Sequence, residues 1–410
     1  MNSKKRILMV ALDFPPCKSA GVQRTLKFAQ YLQEFGWEPI ILTVNESAHE
    51  VTDHSQKVPH GIKHIYRSFS FNASRDFSIK GKYLGITKVP DRWWSWRFTA
   101  VPLGKKLIDE LSPDVIWSTY PISTAHNIAH KLAKHSGLPW IADYRDPVYT
   151  RYDPSGGNYS FIAHQIERKT LTQAHGVVFT TQQASILYQS LYPDLPLRKF
   201  HVIENGYDEG NFHHLNGETR GIELSNDDDK NQFTLLHSGA IYQRGRNPSG
   251  LFRALSILKS QNVINKSNFK LVFRGVSSAG VFESQLAPLD IEDLVEFLPP
   301  VNYIESLDEM MASNALLIIQ GGLFCNQVPG KLYEYIRTGR PILAYCPIGS
   351  ATGQALSGVE MSQCAETPEQ LAESIVALMK EPVVPRKNVE RFSRYERTCQ
   401  LARVLDQITD

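Results

Sequence analysis

The chain has 410 residues, which at roughly 100–200 residues per domain implies two domains, or three. Hydrophobic residues make up 42% and charged residues 21%, the values of an ordinary globular protein with apolar material for two sizeable cores. The 44 basic and 42 acidic side chains leave a formal net charge of +2, which gives no global field for nucleic acid and requires any anion to be held by a local arrangement.

Strand-like and helix-like segments alternate from the start. Arg6–Leu12 is a short apolar run of the kind expected for a buried parallel strand. Its Ile7–Leu12 part is too short for a signal-peptide core and is followed by Asp13 and a Pro pair. No run approaches the ~20 apolar residues that span a bilayer, so a cytoplasmic, soluble chain is expected. After loop Asp13–Gly21, Val22–Phe35 places Leu26, Ala29, Tyr31 and Leu32 at helical spacing and stops at Gly36. Strand Glu38–Val44 completes a βαβ unit. An irregular stretch, His49–Trp96, interrupts the series. It resumes with helix Leu103–Leu111, strand Asp114–Ser118, helix Ser123–His135 and strand Trp140–Asp143. Helix Phe161–Gln173, strand Gly176–Thr180, helix Gln183–Leu191 and strand Lys199–Ile203 follow.

Residues 206–232 are polar, carry the acidic run Asp227–Asp229 and read as a linker. A second series predicts strands Phe233–His237, Lys270–Phe273, Val295–Leu298, Leu316–Ile319 and Pro341–Tyr345. Its helices are Pro248–Ser260, Val281–Leu286, Tyr303–Ala312, Pro329–Arg337 and Pro368–Lys380. A last helix, Asn388–Ile408, lies in a terminal segment, 386–410, expected to pack back toward the N-terminal domain. The two series predict two doubly wound α/β domains, 1–205 and 233–385, whose ligands sit beyond the carboxyl ends of the strands. Cys17, Cys325, Cys346, Cys364 and Cys399 show no metal or redox spacing and read as isolated thiols.

Val328–Arg340 (VPGKLYEYIRTGR) carries the most chemistry. Strand Leu316–Ile319 ends at Gln320-Gly321-Gly322, and Pro329 is read as opening a helix, where its missing N–H costs nothing. Gly330 and Lys331 then lie in the first turn, where free backbone N–H groups and the positive end of the helix dipole suit a phosphate. Lys331 adds a full charge. Glu334 follows about one turn on, on nearly the same face, placed to accept hydrogen bonds from a ribose diol. An ordinary helix with a surface Lys–Glu pair fits the same spacing. Gly339 ends the helix before Arg340-Pro341.

This segment resembles the donor-binding motif of family 4 glycosyltransferases, PxKxxEY followed by Gly-x-Pro. The resemblance implies that Gly330 and Lys331 hold the donor diphosphate and Glu334 the nucleotide ribose. Many members carry a second Glu eight residues earlier; here that position is Asn326, so the sugar-contacting half of the motif is altered. Asp13-Phe14-Pro15-Pro16 and Ser19–Arg24 (SAGVQR) are similar to the family's first-strand loop, with Ala20 in place of its first Gly. A small residue such as Gly21 lets the backbone approach the donor phosphate or the acceptor, and Arg24, one turn into the helix, is placed to reach the ligand. The loop is not GxGxxG, which counts against a dinucleotide dehydrogenase.

Ser238–Arg246 (SGAIYQRGR) lies where the family supplies cations for the diphosphate, often an Arg and a Lys, implying Gly239, Arg244 and Arg246 as donor contacts although the Lys is absent; a solvated basic turn fits the same residues. Cations there offset the charge that gathers on the leaving nucleoside diphosphate. No metal-ligand cluster is visible, so neither a metal nor a cofactor is expected beside the nucleotide sugar. By the same resemblance the loops carrying Arg274, Val301 and Tyr303 flank the nucleotide base, commonly through backbone groups. Trp140–Pro147 (WIADYRDP) follows a strand where many members carry a His; this chain has Arg145-Asp146 in a D-[FY]-R-D-P pattern. Asp146 is placed to orient or deprotonate an acceptor hydroxyl, and Arg145 to bind an anionic acceptor or hold Asp146. A structural Asp–Arg pair explains the same two residues. His126, near the loop Pro121–Thr124, is a third catalytic candidate, with a structural role as its alternative. Glu204–Asp208 (ENGYD) resembles the family's domain-crossover hinge, where Asn-Gly permits a sharp turn.

The resemblance runs from Ile7 to Leu405 and implies a GT-B fold, two Rossmann-like domains facing a cleft. The implied activity moves a hexose from a nucleoside-diphosphate sugar to a hydroxyl of a glycan, lipid-linked glycan or small molecule, with retention and without metal. The donor is expected on the C-terminal domain and the acceptor on the N-terminal one. Two rivals stay open: a nucleotide-sugar epimerase or hydrolase of the same fold, and a non-catalytic nucleotide-sugar-binding scaffold, suggested by Asn326 and the missing His near Arg145. Trp93, Trp94, Trp96 and Phe98 with Arg92 and Arg97 read either as a patch for peripheral contact at the inner face of a membrane or as a cap on the N-terminal core.

Overall fold

The computed structural model describes residues 4–19, 21–54, 57–78, 85, 89–148, 161–216, 232–276, 279–380 and 386–410. Ala20 and the acidic run Asp227–Asp229 lie outside them. The chain divides into two compact units, residues 1–205 with 394–410, and residues 206–393.

The first unit holds seven parallel strands: β1 (Lys5–Val10), β2 (Trp37–Val44), β3 (His64–Ser68), β4 (Val115–Tyr120), β5 (Trp140–Tyr144), β6 (Gly176–Phe179) and β7 (Phe200–Val202). Their spatial order is β3-β2-β1-β4-β5-β6-β7. Helices α1 (Val22–Tyr31), α2 (Ala73–Asp76), α3 (Trp96–Leu111), α4 (Ser123–Ser136), α5 (Phe161–Gln173) and α6 (Gln182–Leu191) accompany them. Ile7 to Val10 are fully buried, as expected for a central strand covered on both faces.

β3 and α3 are among the elements that depart from the periodicity reading. The strand β3 falls inside the stretch read as irregular, because an edge strand of sequence HIYRS is half-buried and shows no apolar run. The helix α3 starts at Trp96, seven residues before the predicted start, and runs through Pro102. Its first turn is held by burial of Trp96 and Ala100, which outweighs the backbone bond lost at an exposed proline.

The second unit holds β8 (Phe233–Ser238), β9 (Phe269–Arg274), β10 (Val295–Leu298), β11 (Ala315–Ile319), β12 (Ile342–Tyr345) and β13 (Ser362–Ala365), all parallel, in the order β10-β9-β8-β11-β12-β13. Its helices are α7 (Ser249–Ser260), α8 (Ala279–Glu283), α9 (Tyr303–Ala312), α10 (Lys331–Thr338), α11 (Ala351–Leu356) and α12 (Pro368–Leu378). The helix α10 begins two residues later than expected: Gly330 is its N-cap, and the Pro329 carbonyl accepts from the Leu332 N–H at 2.9 Å.

The segment after β7 does more than link. Tyr207 and Phe212 are buried in the core of the second unit, and Glu209 pairs with Arg337. Residues 386–393 also belong to this unit. The buried Arg386 guanidinium donates to the carbonyls of Tyr335, Ile336 and Arg340, closing the carboxyl end of α10. Only the last helix, α13 (Arg394–Thr409), joins the first unit, burying Leu401 and Leu405 and packing Tyr395 on Tyr31.

In each sheet the strand order reverses once, between β1 and β4 and between β8 and β11. The helices on either side diverge there and leave a crevice beyond the carboxyl ends of the strands. Among the described residues no helix is long and apolar enough to cross a membrane.

Candidate functional site

The reversal point of the first sheet is built from the loops after β1, β4 and β5. Arg145, just past β5, is buried and its Nη2 lies 2.7 Å from Asp13 Oδ2, just past β1, while its Nε donates to the Tyr120 carbonyl at the end of β4. Three adjacent strand ends are thereby tied by one guanidinium. Gly21, at the start of α1, backs directly onto this pair: a Cβ there would lie 1.6 Å from Arg145 Nη1 and 2.2 Å from Asp13 Oδ2. Glycine is thus required by packing. The Gly21→Ala variant is expected to lose about 1–3 kcal/mol of stability in urea unfolding, the usual cost of overpacking a site whose neighbours are already fixed.

The structure corrects two readings of this loop set, those of Arg24 and His126. Arg145 is held by Asp13, with Asp146 half-buried beside it. Arg24 does not reach toward a ligand. It is 3% exposed and forms a buried pair with Asp143 on β5, with Nη2–Oδ1 at 2.7 Å. It also donates to the Ile203 and Glu204 carbonyls, so this arginine fixes the crossover segment to the sheet. His126 is 1% exposed, with Nδ1 2.8 Å from Ser118 Oγ and its ring packed on Tyr144 and Trp140. Burial pushes its pKa down to about 3. A neutral histidine sealed in the core has no access to an acceptor, which removes His126 as a catalytic candidate.

Two residues missed in the sequence stand out here. His49, after β2, is buried, with its pKa lowered by burial and raised in part by the Asp13 carboxylate. Glu167 on α5 is buried, accepts from Tyr188 Oη, and is pushed up to about 7 by burial. Tyr188 Oη in turn accepts from the Val148 N–H at 2.9 Å, two residues past Asp146. Neither lies in a motif; only the packing of β2 beside β1, and of α5 beside α6, brings them near the loops.

The reversal point of the second sheet gathers most of the predicted donor contacts. β8 ends at Ser238, and Gly239 takes φ +119 and donates to the Arg274 carbonyl at 2.7 Å. A Cβ on Gly239 would lie 1.8 Å from Lys331 Nζ, so the ammonium of the first residue of α10 rests directly on this glycine. Burial, with Arg246 nearby, lowers the Lys331 pKa to about 8, and Glu334 opposes that shift. Arg246 donates to Gln320 Oε1 at 3.0 Å and stacks on Phe324 at 5.1 Å. The buried Gln320 follows β11, so both strand ends at the reversal point carry a positioned cation. His237, at 2% exposure, is kept neutral by burial and by Lys331, its Nδ1 3.0 Å from the Leu317 carbonyl. A charged imidazole there would repel Lys331.

Glu334 and Tyr303, predicted from different segments, meet. Tyr303 Oη donates to Glu334 Oε1 at 2.6 Å and lies 3.3 Å from Asn211 Nδ2. The phenol fixes the carboxylate one turn along α10 from Lys331. Gly330 leaves the helix start open: a Cβ built on it meets nothing within 4 Å. Val301 is half-buried in the loop before α9. Arg244 is exposed on the turn after β8. The Arg274 side chain is taken up locally: the Nε–Nη2 edge of its guanidinium engages both oxygens of Glu309, with Nε–Oε2 at 2.9 Å, and Nη1 donates to the Pro299 carbonyl, so it braces the loop and its charge is already neutralised. A cavity of about 490 Å³ borders this end of the sheet, lined by Gln320, Gly321, Gly322, Tyr345 and Glu366 among others.

Comparison with known proteins bears on both halves. Residues 21–210 match the family model of Glycosyltransferase Family 4. No curated protein matches the sequence. Solved structures match over nearly the whole chain at low identity. Sucrose-phosphate synthase from Thermosynechococcus elongatus is 14% identical, with 98% of each chain covered and a TM-score of 0.65. HepE of Anabaena, determined with UDP and glucose, is 14% identical, covering 98% of this chain and 100% of its own at a TM-score of 0.61. UDP-GlcNAc 2-epimerase from Methanocaldococcus jannaschii is 11% identical, covering 98% and 99% at a TM-score of 0.57. At such identities the likeness is one of fold. The chain therefore has the two-domain α/β fold known as GT-B, and residues 21–210 carry the sequence pattern of Glycosyltransferase Family 4.

Proposed function

We propose that the protein is a glycosyltransferase that moves a sugar from a nucleoside-diphosphate sugar to a hydroxyl acceptor. The observation that carries this reading is the convergence of Gly239, Arg246, Lys331 and the Tyr303–Glu334 pair around the start of α10. Helix-start N–H groups and two cations suit a diphosphate, and an oriented carboxylate one turn on suits a ribose diol. HepE, of the same fold, was determined with UDP and glucose.

In this reading Lys331 and Arg246 take up the charge that develops on the departing diphosphate, and no divalent ion is needed. The reaction proceeds with retention, a donor phosphate oxygen receiving the acceptor proton. Asp146 then orients the acceptor hydroxyl without acting as base, and the Arg145–Asp13 pair holds its loop. Glycosyl transfer is favoured over the 2-epimerase chemistry of the related fold by the family match over residues 21–210.

A thermal-shift screen of UDP-, GDP-, ADP- and dTDP-sugars tests the donor assignment, since a ligand at 100 times its Kd raises stability by about 2.7 kcal/mol. One nucleotide class is expected to raise the melting temperature. That donor should then be consumed only when a hydroxyl acceptor is present, and equally well after chelation of divalent ions. A screen with no hit sinks the assignment, and donor turnover without acceptor points to the epimerase or hydrolase reading.

A further inference from the structure

The aromatic cluster read from the sequence as a membrane patch is only partly exposed. Trp96 is fully buried, Trp93 donates to the Ala48 carbonyl, and Arg92 stacks on Trp93 and pairs with Glu50. The exposed aromatics are others. Phe98 is 57% exposed, and Phe69, Phe71 and Phe77 follow at 40% or more. Phe71 lies 4.8 Å from Phe69 and 5.5 Å from Phe77, ring centre to ring centre. Thr99 Oγ1 donates to the Phe69 carbonyl and Ser95 Oγ accepts from the Phe71 N–H, which makes this cluster continuous with the start of α3.

Arg97, next to Phe98, also faces a groove of about 410 Å³ between α4 and α5. Lys131 and Lys134 on α4 and Lys169 on α5 line it with Arg97, and Phe161 and Ile162 stand at its rim, 76% and 51% exposed. Among the described residues no carboxylate lines the groove. His130 within it has its pKa lowered by burial and by Lys169, Lys134 and Lys131, against the raising effect of its hydrogen bond to Gln173. Helix spacing explains the arrangement: Asn127, Lys131 and Lys134 share one face of α4, while Ile162, Ile166 and Lys169 share one face of α5.

Cations that, among the described residues, share their groove with no carboxylate, beside exposed large apolar side chains, match the chemistry of an anionic bilayer surface. Phosphate headgroups complement the groove, and aromatic rings enter the headgroup–acyl boundary. We infer that this face of the first unit, from Phe69 and Phe98 across the Arg97–Lys131–Lys134–Lys169 groove to Phe161, docks on membranes rich in anionic lipid. The inference stands on residues outside the candidate donor site and does not depend on the proposed reaction.

Flotation of the full chain with vesicles tests it, comparing phosphatidylcholine alone with vesicles containing about 30% phosphatidylglycerol, at about 0.1 M and 0.5 M NaCl. The protein should float only with the anionic vesicles and less at high salt. At about fivefold per cation near such a surface, Lys131→Glu with Lys134→Glu should weaken binding at least 25-fold. Phe98→Ser with Phe161→Ser should weaken it about tenfold at both salt concentrations, since it removes apolar insertion. All four side chains are exposed, so the melting temperatures should be unchanged. The inference is overturned by equal binding to neutral vesicles, by wild-type binding of both double variants, or by release from anionic vesicles with about 10 mM inorganic phosphate, which marks a free-anion site. Heparin binding without vesicle binding also overturns it and marks a polyanion surface.

Discussion

The Lys331→Ala variant is expected to bind nucleoside diphosphate about 100-fold more weakly in calorimetry, the scale of a charge-assisted contact to an anion. Lys331 opens α10 and its ammonium rests on Gly239, so the cation is fixed where the N–H groups of the helix start also point. Its pKa, lowered to about 8 by burial and by Arg246, adds a signature. An anionic ligand favours the charged lysine, so binding should take up a proton. Affinity is then level below about pH 7 and falls by up to tenfold per unit as pH rises past the pKa of the empty site, until the pKa of the complex is reached. The alanine variant should lose this slope. It should not lose stability, because removing a half-buried cation relieves a desolvation cost. Unchanged affinity and unchanged pH slope in the folded variant would remove Lys331 from the donor site.

The largest effect on stability is expected at Asp143. This carboxylate is fully buried on β5, receives the Nε–Nη2 edge of the Arg24 guanidinium on its two oxygens and accepts from Thr119 Oγ1 at 2.9 Å. Asp143→Ala strands the Arg24 charge in the core and should cost about 3–5 kcal/mol in urea unfolding. Replacing both residues by apolar ones of similar volume should cost much less than the two single changes summed, because no uncompensated charge remains. Additivity of the two single effects would show that the pair does not act as a unit. Nucleotide binding by the destabilised but folded protein should be unchanged, since Arg24 and Asp143 lie in the first unit and the donor contacts in the second.

Three of the donor contacts expected from the sequence share a property. Lys331, Glu334 and Gly239 owe their places to local geometry: a strand end, a tight turn and the first turns of one helix. Such geometry is written in a few adjacent residues. Tyr303 meets Glu334 across two helices, and its hydrogen bond was not foreseeable from spacing. The misread positions failed for the complementary reason. Arg24 and His126 each lie where a ligand contact is plausible along the chain, yet each faces inward to partners the spacing does not reveal: Asp143, and Ser118 with the Tyr144 ring. A charged or imidazole side chain near a strand end is either exposed or satisfied, and only the fold says which.

Alternating apolar runs determined the α/β class and both strand series, because a buried parallel strand must be apolar on both faces and its crossover helix on one. Glycine and proline punctuation set the turns that expose the helix start of α10. Tertiary structure decided the rest. It placed the edge strands β3 and β13, whose sequences carry no periodic signal, and gave residues 206–212 and 386–393 to the second unit through Tyr207, Phe212 and Arg386. It also sorted the ionisable side chains into those that clamp the fold and those left facing the carboxyl ends of the strands. That sorting depends on desolvation and on partners far apart in the chain, which local sequence does not encode.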